Sequence, residues 1–196
     1  TMNWQTLFNP FSKFSEKTLL AIGILASILL IIACYFTDTK MDSLLHFSPA
    51  KDLSFNSIAL YTIISLIYAI VLLFILGKIF NSKTRIIDIV NAVLVSQVPV
   101  IVIVLGTKLI KLDKISKQIA ETSAQNKVLD INIFDLMYLM VFSFGSLIFI
   151  IYSFVLLFNG FKTATNIKKW QHIVIFAFVL LVGILICQTF LPQFKL

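Results

Sequence analysis

Charge is what this sequence most lacks. Asp, Glu, Lys and Arg make up 13% of its 196 residues, about half the ~25% of an ordinary soluble domain. Hydrophobic residues make up 59%, against about 45–50% in that class. A soluble core of this length cannot hide so much apolar surface, so the implied solvent is a bilayer. Cysteine is scarce as well. Cys34 and Cys187 each sit inside an apolar run and form no CxxC and no Cys/His cluster. Neither a disulfide framework nor a cysteine-based zinc site is therefore implied, and both residues read as small buried hydrophobes. His46 falls in the first connector and His172 at the start of the last apolar run. Neither is read as having an i, i+4 partner or an acidic cluster, so no metal site is expected. No phosphate-binding glycine loop, dinucleotide fingerprint, nucleophile elbow or HExxH occurs. The chain is therefore expected to be no enzyme and to hold no cofactor. No repeat or low-complexity tract is visible.

What is present is apolar length. The mean hydropathy is +1.00, and 19 residues are Phe. A spanning helix needs about 20 mostly apolar residues. Five segments qualify, at about 18–36, 55–76, 86–105, 135–158 and 171–191. The expected fold is all-α: a single polytopic membrane domain of five helices over residues 1–196. Thr1 precedes Met2, which is the expected natural start. No small-x-small pattern follows the first apolar run, so no cleavable signal is expected.

Sixteen Lys and Arg oppose nine Asp and Glu, a formal charge of +7. The basic residues lie in short connectors between apolar runs. They read as membrane flanks that meet anionic lipid head groups, not as a nucleic-acid surface. With the N-terminus inside, the inner side holds Lys13, Lys17, Lys78, Lys83, Arg85, Lys162, Lys168 and Lys169, and the outer side holds eight more. The count ties. The two inner loops are short and free of acids, whereas the outer connectors mix in Asp38, Asp42, Asp52, Asp113, Glu121 and Asp130. That favours a cytoplasmic N-terminus and placement in a cell membrane, for a bacterial chain the inner one. Two further segments read as interfacial. Trp4, Leu7, Phe8, Phe11 and Phe14 recur at helical spacing before the first span, the pattern of an amphipathic stretch lying at head-group level. Leu109, Leu112, Ile115 and Ile119 do the same after the third, ahead of a polar turn over 121–127.

Polar residues inside a membrane are costly and therefore informative. On the third span, Asp88, Asn91, Val95, Ser96 and Pro99 share one side, with Gln97 opposite; Asp88 lies within reach of Arg85. Pro99 removes a backbone hydrogen bond and should kink the helix. Tyr61, Ser65 and Tyr68 share a face of the second span, and Asp135, Ser146 and Ser153 one of the fourth, as helix contacts in membranes require. Asp88 and Asp135 begin their spans at opposite sides of a core about 30 Å thick, too far apart to share a proton.

The order of features resembles the Yip-domain family, five-span proteins named for interaction with Ypt/Rab GTPases. Three stretches carry the likeness. One is the opening Asn3-Trp4-Gln5-Thr6-Leu7-Phe8-Asn9-Pro10. Another runs from Thr84 to Leu105 with Pro99 in mid-span. The last is Ile151-Tyr152-Ser153 through Asn159-Gly160-Phe161-Lys162-Thr163-Ala164 to Lys168-Lys169-Trp170, where the span is read as leaving the membrane through Gly160 into a basic loop. The resemblance implies five spans, a cytosolic N-terminus and a bacterial-type short member. Eukaryotic relatives are linked to vesicle traffic through a longer N-terminal region, and only about 17 residues precede the first span here. A scaffold or adaptor is expected, with a basic surface of Lys78, Lys83, Arg85, Lys162, Lys168 and Lys169 that meets anionic lipid, a protein partner or a second copy. The rival is a small-molecule or lipid transporter or channel using Asp88, Asn91, Ser96 and Pro99, with Tyr61, Tyr68 and Ser146 as lining. A water-accessible cavity reaching Asn91 and Ser96 would favour the rival.

Overall fold

The structure, a computed structural model, describes residues 4–109 and 132–193. Apart from Leu109, the second amphipathic stretch and the 121–127 turn lie outside them. A short helix α1 (Trp4–Phe8) and a 3-10 turn (Pro10–Ser12) precede α2 (Glu16–Phe36). Ser15 starts α2 by accepting the Thr18 N–H at 3.2 Å, and Glu16 in the first turn complements the helix dipole. The buried residues of α2, namely Leu19, Gly23, Ala26, Leu30, Ala33 and Cys34, recur three to four apart and form one narrow stripe. Its other faces are exposed and apolar, as a lipid-facing helix requires.

The connector after α2 is not irregular. It folds into an antiparallel hairpin of β1 (Thr39–Ser43) and β2 (His46–Pro49). The chain reverses through left-handed Asp38, Leu45 and Asp52 (φ 52°, 66° and 69°). Helix α3 (Phe55–Phe80), capped by Ser54, runs back. A tight turn leads to α4 (Ile86–Val95) and α5 (Val98–Leu109), then to α6 (Ile133–Thr165) and α7 (Trp170–Phe190). Five helical stretches among the described residues are long and apolar enough to cross a membrane, α4 and α5 forming one of them.

Helix α4 sits at the centre, packed against α2 on one side and α6 on the other. Its residues Asn91 to Val95 are buried without a break, so it presents no lipid face there. Helix α6 is the contrary case. At 33 residues and ~1.5 Å per residue, it exceeds a hydrocarbon core of about 30 Å. Its first half is largely exposed, and only from Ser153 onward does it bury a stripe. The helix does not end at Gly160 but continues to Thr165. A Cβ on Gly160 would lie 2.5 Å from the Ala92 Cβ and 2.9 Å from its Cα. Glycine therefore sets how closely α4 and α6 approach. Helix α7 packs on α3 and the hairpin, with Phe176 wedged among Phe154, Phe158 and Phe161.

Candidate functional site at the N-terminal end of the bundle

The expected kink in the third span is present, displaced from Pro99 to Ser96–Gln97, where α4 ends and α5 begins. Pro99 has no N–H to give the Val95 carbonyl. The N–H groups of Val100 and Ile101 both turn to Gln97 O, at 3.1 and 3.4 Å. The Ser96 carbonyl, which Val100 would serve in a regular helix, instead receives the Ser153 hydroxyl from α6. The Ser96 hydroxyl donates to Val93 O at 2.7 Å, and the Gln97 amide donates to Val93 O and Ser96 Oγ at 3.2 and 3.1 Å. Ser96, Gln97 and Ser153 are fully buried, and Pro99 is buried beside them. The donors of this polar group serve the broken backbone of the third span, and Gln97 Oε1 is left without a protein partner.

One helical turn from the start of α4 the arrangement differs. Arg85 precedes the helix and grips Asp88, Nε to Oδ2 at 3.0 Å and Nη2 to Oδ1 at 2.7 Å. The same Nη2 reaches Glu16 Oε2 at 2.7 Å, tying α4 to the start of α2. The hydrogen bonds that Arg85 donates to Asp88, then the charge of Asp88, then the bond to Glu16 and its charge push the guanidinium still further up from its ordinary value. Arg85 and Glu16 are exposed and Asp88 is partly so, so the contact adds little stability by itself. Asn91 follows Asp88 on the same face and is 2% exposed. Its Nδ2 donates to the Glu16 carbonyl at 3.2 Å. A main-chain carbonyl only accepts, so the amide orientation is determined. Oδ1 is left buried without a protein partner.

These groups line a crevice of about 340 Å³ together with Phe11, Phe14, Leu19 and Gly160. The N-terminal segment forms one wall. Rather than only resting on lipid, that segment is bonded to α6: Tyr152 Oη donates to Leu7 O at 3.0 Å and Asn159 Nδ2 to Phe8 O at 2.7 Å. Phe8 meets the Tyr152 ring edge-on at 5.6 Å. The basic residues ring the same end of the bundle. Lys78, Lys83, Arg85, Lys162, Lys168 and Lys169 are all exposed there. Asn81 Nδ2, donating to Thr165 O at 3.2 Å, joins the C-terminal ends of α3 and α6 beside them.

The structure divides the remaining residues of the expected polar face. Asp88 and Asn91 meet in the crevice, and Ser96 and Pro99 lie deeper and do not line it. Tyr61 and Tyr68 belong to the contact between α3 and α7. Tyr61 is buried beside Cys187 and Leu191, with Lys40 Nζ 4.1 Å from its ring centroid. Tyr68 lines a small apolar gap with Leu72, Leu180 and Gly183. Ser146 lies on the exposed half of α6, its hydroxyl buried without a protein partner. Cys34 and Cys187 are buried and free.

Two features escaped the sequence reading. Glu16 lies 69 residues from Arg85, and no spacing rule joins them. The absence of a partner for His46 is corrected: the hairpin brings Asp42, four residues earlier, to 2.6 Å from His46 Nδ1. The Gln188 amide meets the other ring nitrogen at 3.1 Å. Asp42 is 3% exposed, and its position at i−4 was the available signal.

A family model for the Yip1 domain matches residues 4–190. The chain belongs to the Yip1-domain family. The match begins at Trp4, so the N-terminal wall of the crevice is part of the Yip1 domain, and it ends at the last residue of α7. No curated protein and no solved structure matches the chain. This Yip1-domain protein is a multi-pass membrane protein whose spans leave a small hairpin on one side and a basic-ringed crevice on the other.

Proposed function

We propose that this Yip1-domain protein is a non-enzymatic scaffold or adaptor of the cell membrane, the bacterial inner membrane for a bacterial chain, with its N-terminus cytoplasmic. Its working surface is the end of the bundle where Lys78, Lys83, Arg85, Lys162, Lys168 and Lys169 surround the N-terminal segment. Anionic head groups and an acidic protein partner or second copy suit that charge. The observation that carries the reading is the use made of Ser96, Gln97 and Ser153, buried and bonded to the break in the third span. A transport path would need those mid-span groups turned toward water. Among the described residues the crevice reaches Asn91 and not Ser96.

The test is replacement of the six basic residues by Gln, followed by identification of the lipids and proteins that co-purify. Loss of anionic lipid and of bound partners is expected. Unchanged lipid selectivity and partners would reduce the basic ring to a determinant of topology.

A further inference from the structure

We propose that the crevice between α2, α4 and the N-terminal segment is a binding site for a primary ammonium group, carried by a lipid head group or by a soluble amine. Three observations converge on that chemistry. Asn91 Oδ1 is a buried acceptor without a protein partner, and an acceptor in that position needs a donor. Two carboxylates, Glu16 and Asp88, face one guanidinium, leaving a net negative charge. Arg85 spends Nε and Nη2 on these two carboxylates, so its charge is already answered inside the crevice. Phe11 and Phe14 line the same space, and aromatic rings attract cations. The volume of about 340 Å³ lies within the ~300–1,000 Å³ of small-molecule sites.

An anionic ligand would meet two carboxylates and an acceptor oxygen. Water would satisfy Asn91 but leave the charge unanswered. A primary ammonium answers both, giving N–H bonds to Asn91 and the carboxylates while its charge offsets theirs. The crevice opens where α2 and α4 begin and α6 ends, at the level of lipid head groups, so an aminophospholipid reaches it as readily as a soluble amine does.

The protein, purified at full length, is placed in nanodiscs holding phosphatidylethanolamine, phosphatidylcholine and phosphatidylglycerol in equal proportion. The lipids it retains are identified by native mass spectrometry. In parallel, its thermal unfolding in detergent is followed with and without ethanolamine. A lipid source gives about tenfold enrichment of phosphatidylethanolamine over phosphatidylcholine, because the trimethylated head group keeps the charge but has no N–H for Asn91. A soluble source gives instead an upward shift of the unfolding temperature with ethanolamine and no lipid enrichment. Either effect drops by about threefold or more in the double variant Glu16→Gln and Asp88→Asn. The lipid comparison uses the unaltered chain, so it stands even if that variant fails to fold. Equal retention of phosphatidylethanolamine and phosphatidylcholine with no response to ethanolamine would overturn the proposal, as would a preference unchanged in a folded double variant.

Discussion

Ser153 on α6 donates its hydroxyl to the main-chain carbonyl of Ser96, the carbonyl left over where Pro99 breaks the third span. A side chain of one span thereby completes the backbone of another in the interior of the bundle. Replacing Ser153 by Ala strands that carbonyl and should destabilise the protein by about 1–3 kcal/mol. Interhelical bonds in membranes average somewhat less, about 0.6 kcal/mol with a maximum near 1.7, so a value toward the low end is expected. Unfolding in graded SDS measures it, and an unchanged midpoint would show that the Ser96 carbonyl finds another donor.

Two glycines of the same helix should respond in opposite directions. Gly160→Ala puts a methyl group against Ala92 Cα and Cβ and within 2.9 Å of the Phe11 ring. Separating α4 from α6 should cost about 1–3 kcal/mol and loosen the N-terminal wall. Gly145 has nothing within 4 Å of a built Cβ, so Gly145→Ala should be neutral or stabilise by up to about 1 kcal/mol through helix propensity. Parallel unfolding curves decide both.

The N-terminal segment should detach more readily than any span. Among the described residues its polar anchors on α6 are Tyr152 and Asn159. In Tyr152→Phe with Asn159→Leu, Trp4 should move into a different environment while the spans stay folded. The chain has two Trp, so in a Trp170→Phe background Trp4 reports alone. A changed emission maximum and faster proteolysis near residue 10 are expected, and identical spectra would mean that the segment is held by its apolar contacts.

The hairpin on the far side is held to the bundle by polar contacts as well as by packing. Ser65 Oγ donates to Met41 O at 3.1 Å, and His46 bridges Asp42 and Gln188. Asp42→Leu removes the buried partner of His46 and should cost about 1–3 kcal/mol. Gln188→Ala should cost less, because His46 is half-exposed and water can take that bond. Hydrogen exchange of the β1 amides follows both.

Architecture was legible because a bilayer imposes one rule, about 20 apolar residues per crossing, and each of the five runs obeys it. The break near Pro99 and the pairing of Arg85 with Asp88 were legible because both are local. Three features were not. Gly160 reads only as the end of a span until Ala92 is placed against it, and proximity across a separation of 68 positions leaves no mark in spacing. Glu16 reads as an ordinary first-turn acid until Arg85 arrives. The face shared by Asp88, Asn91, Ser96 and Pro99 assumed one uninterrupted helix. Once the helix breaks at Ser96–Gln97, its two halves serve different ends, a crevice above and a sealed backbone repair below.

The most direct test is thiol accessibility along that span. Single Cys substitutions at Asp88, Asn91, Ser96 and Pro99, in a background with Cys34→Ala and Cys187→Ala, are reconstituted in proteoliposomes. Each is probed with a membrane-impermeant reagent from either side. Labelling at Asp88 and Asn91 from the N-terminal side alone, with Ser96 and Pro99 protected from both, is the expected result of a blind crevice in a closed bundle. Labelling at Ser96 or Pro99 from either side would contradict it and give the span a water-filled path.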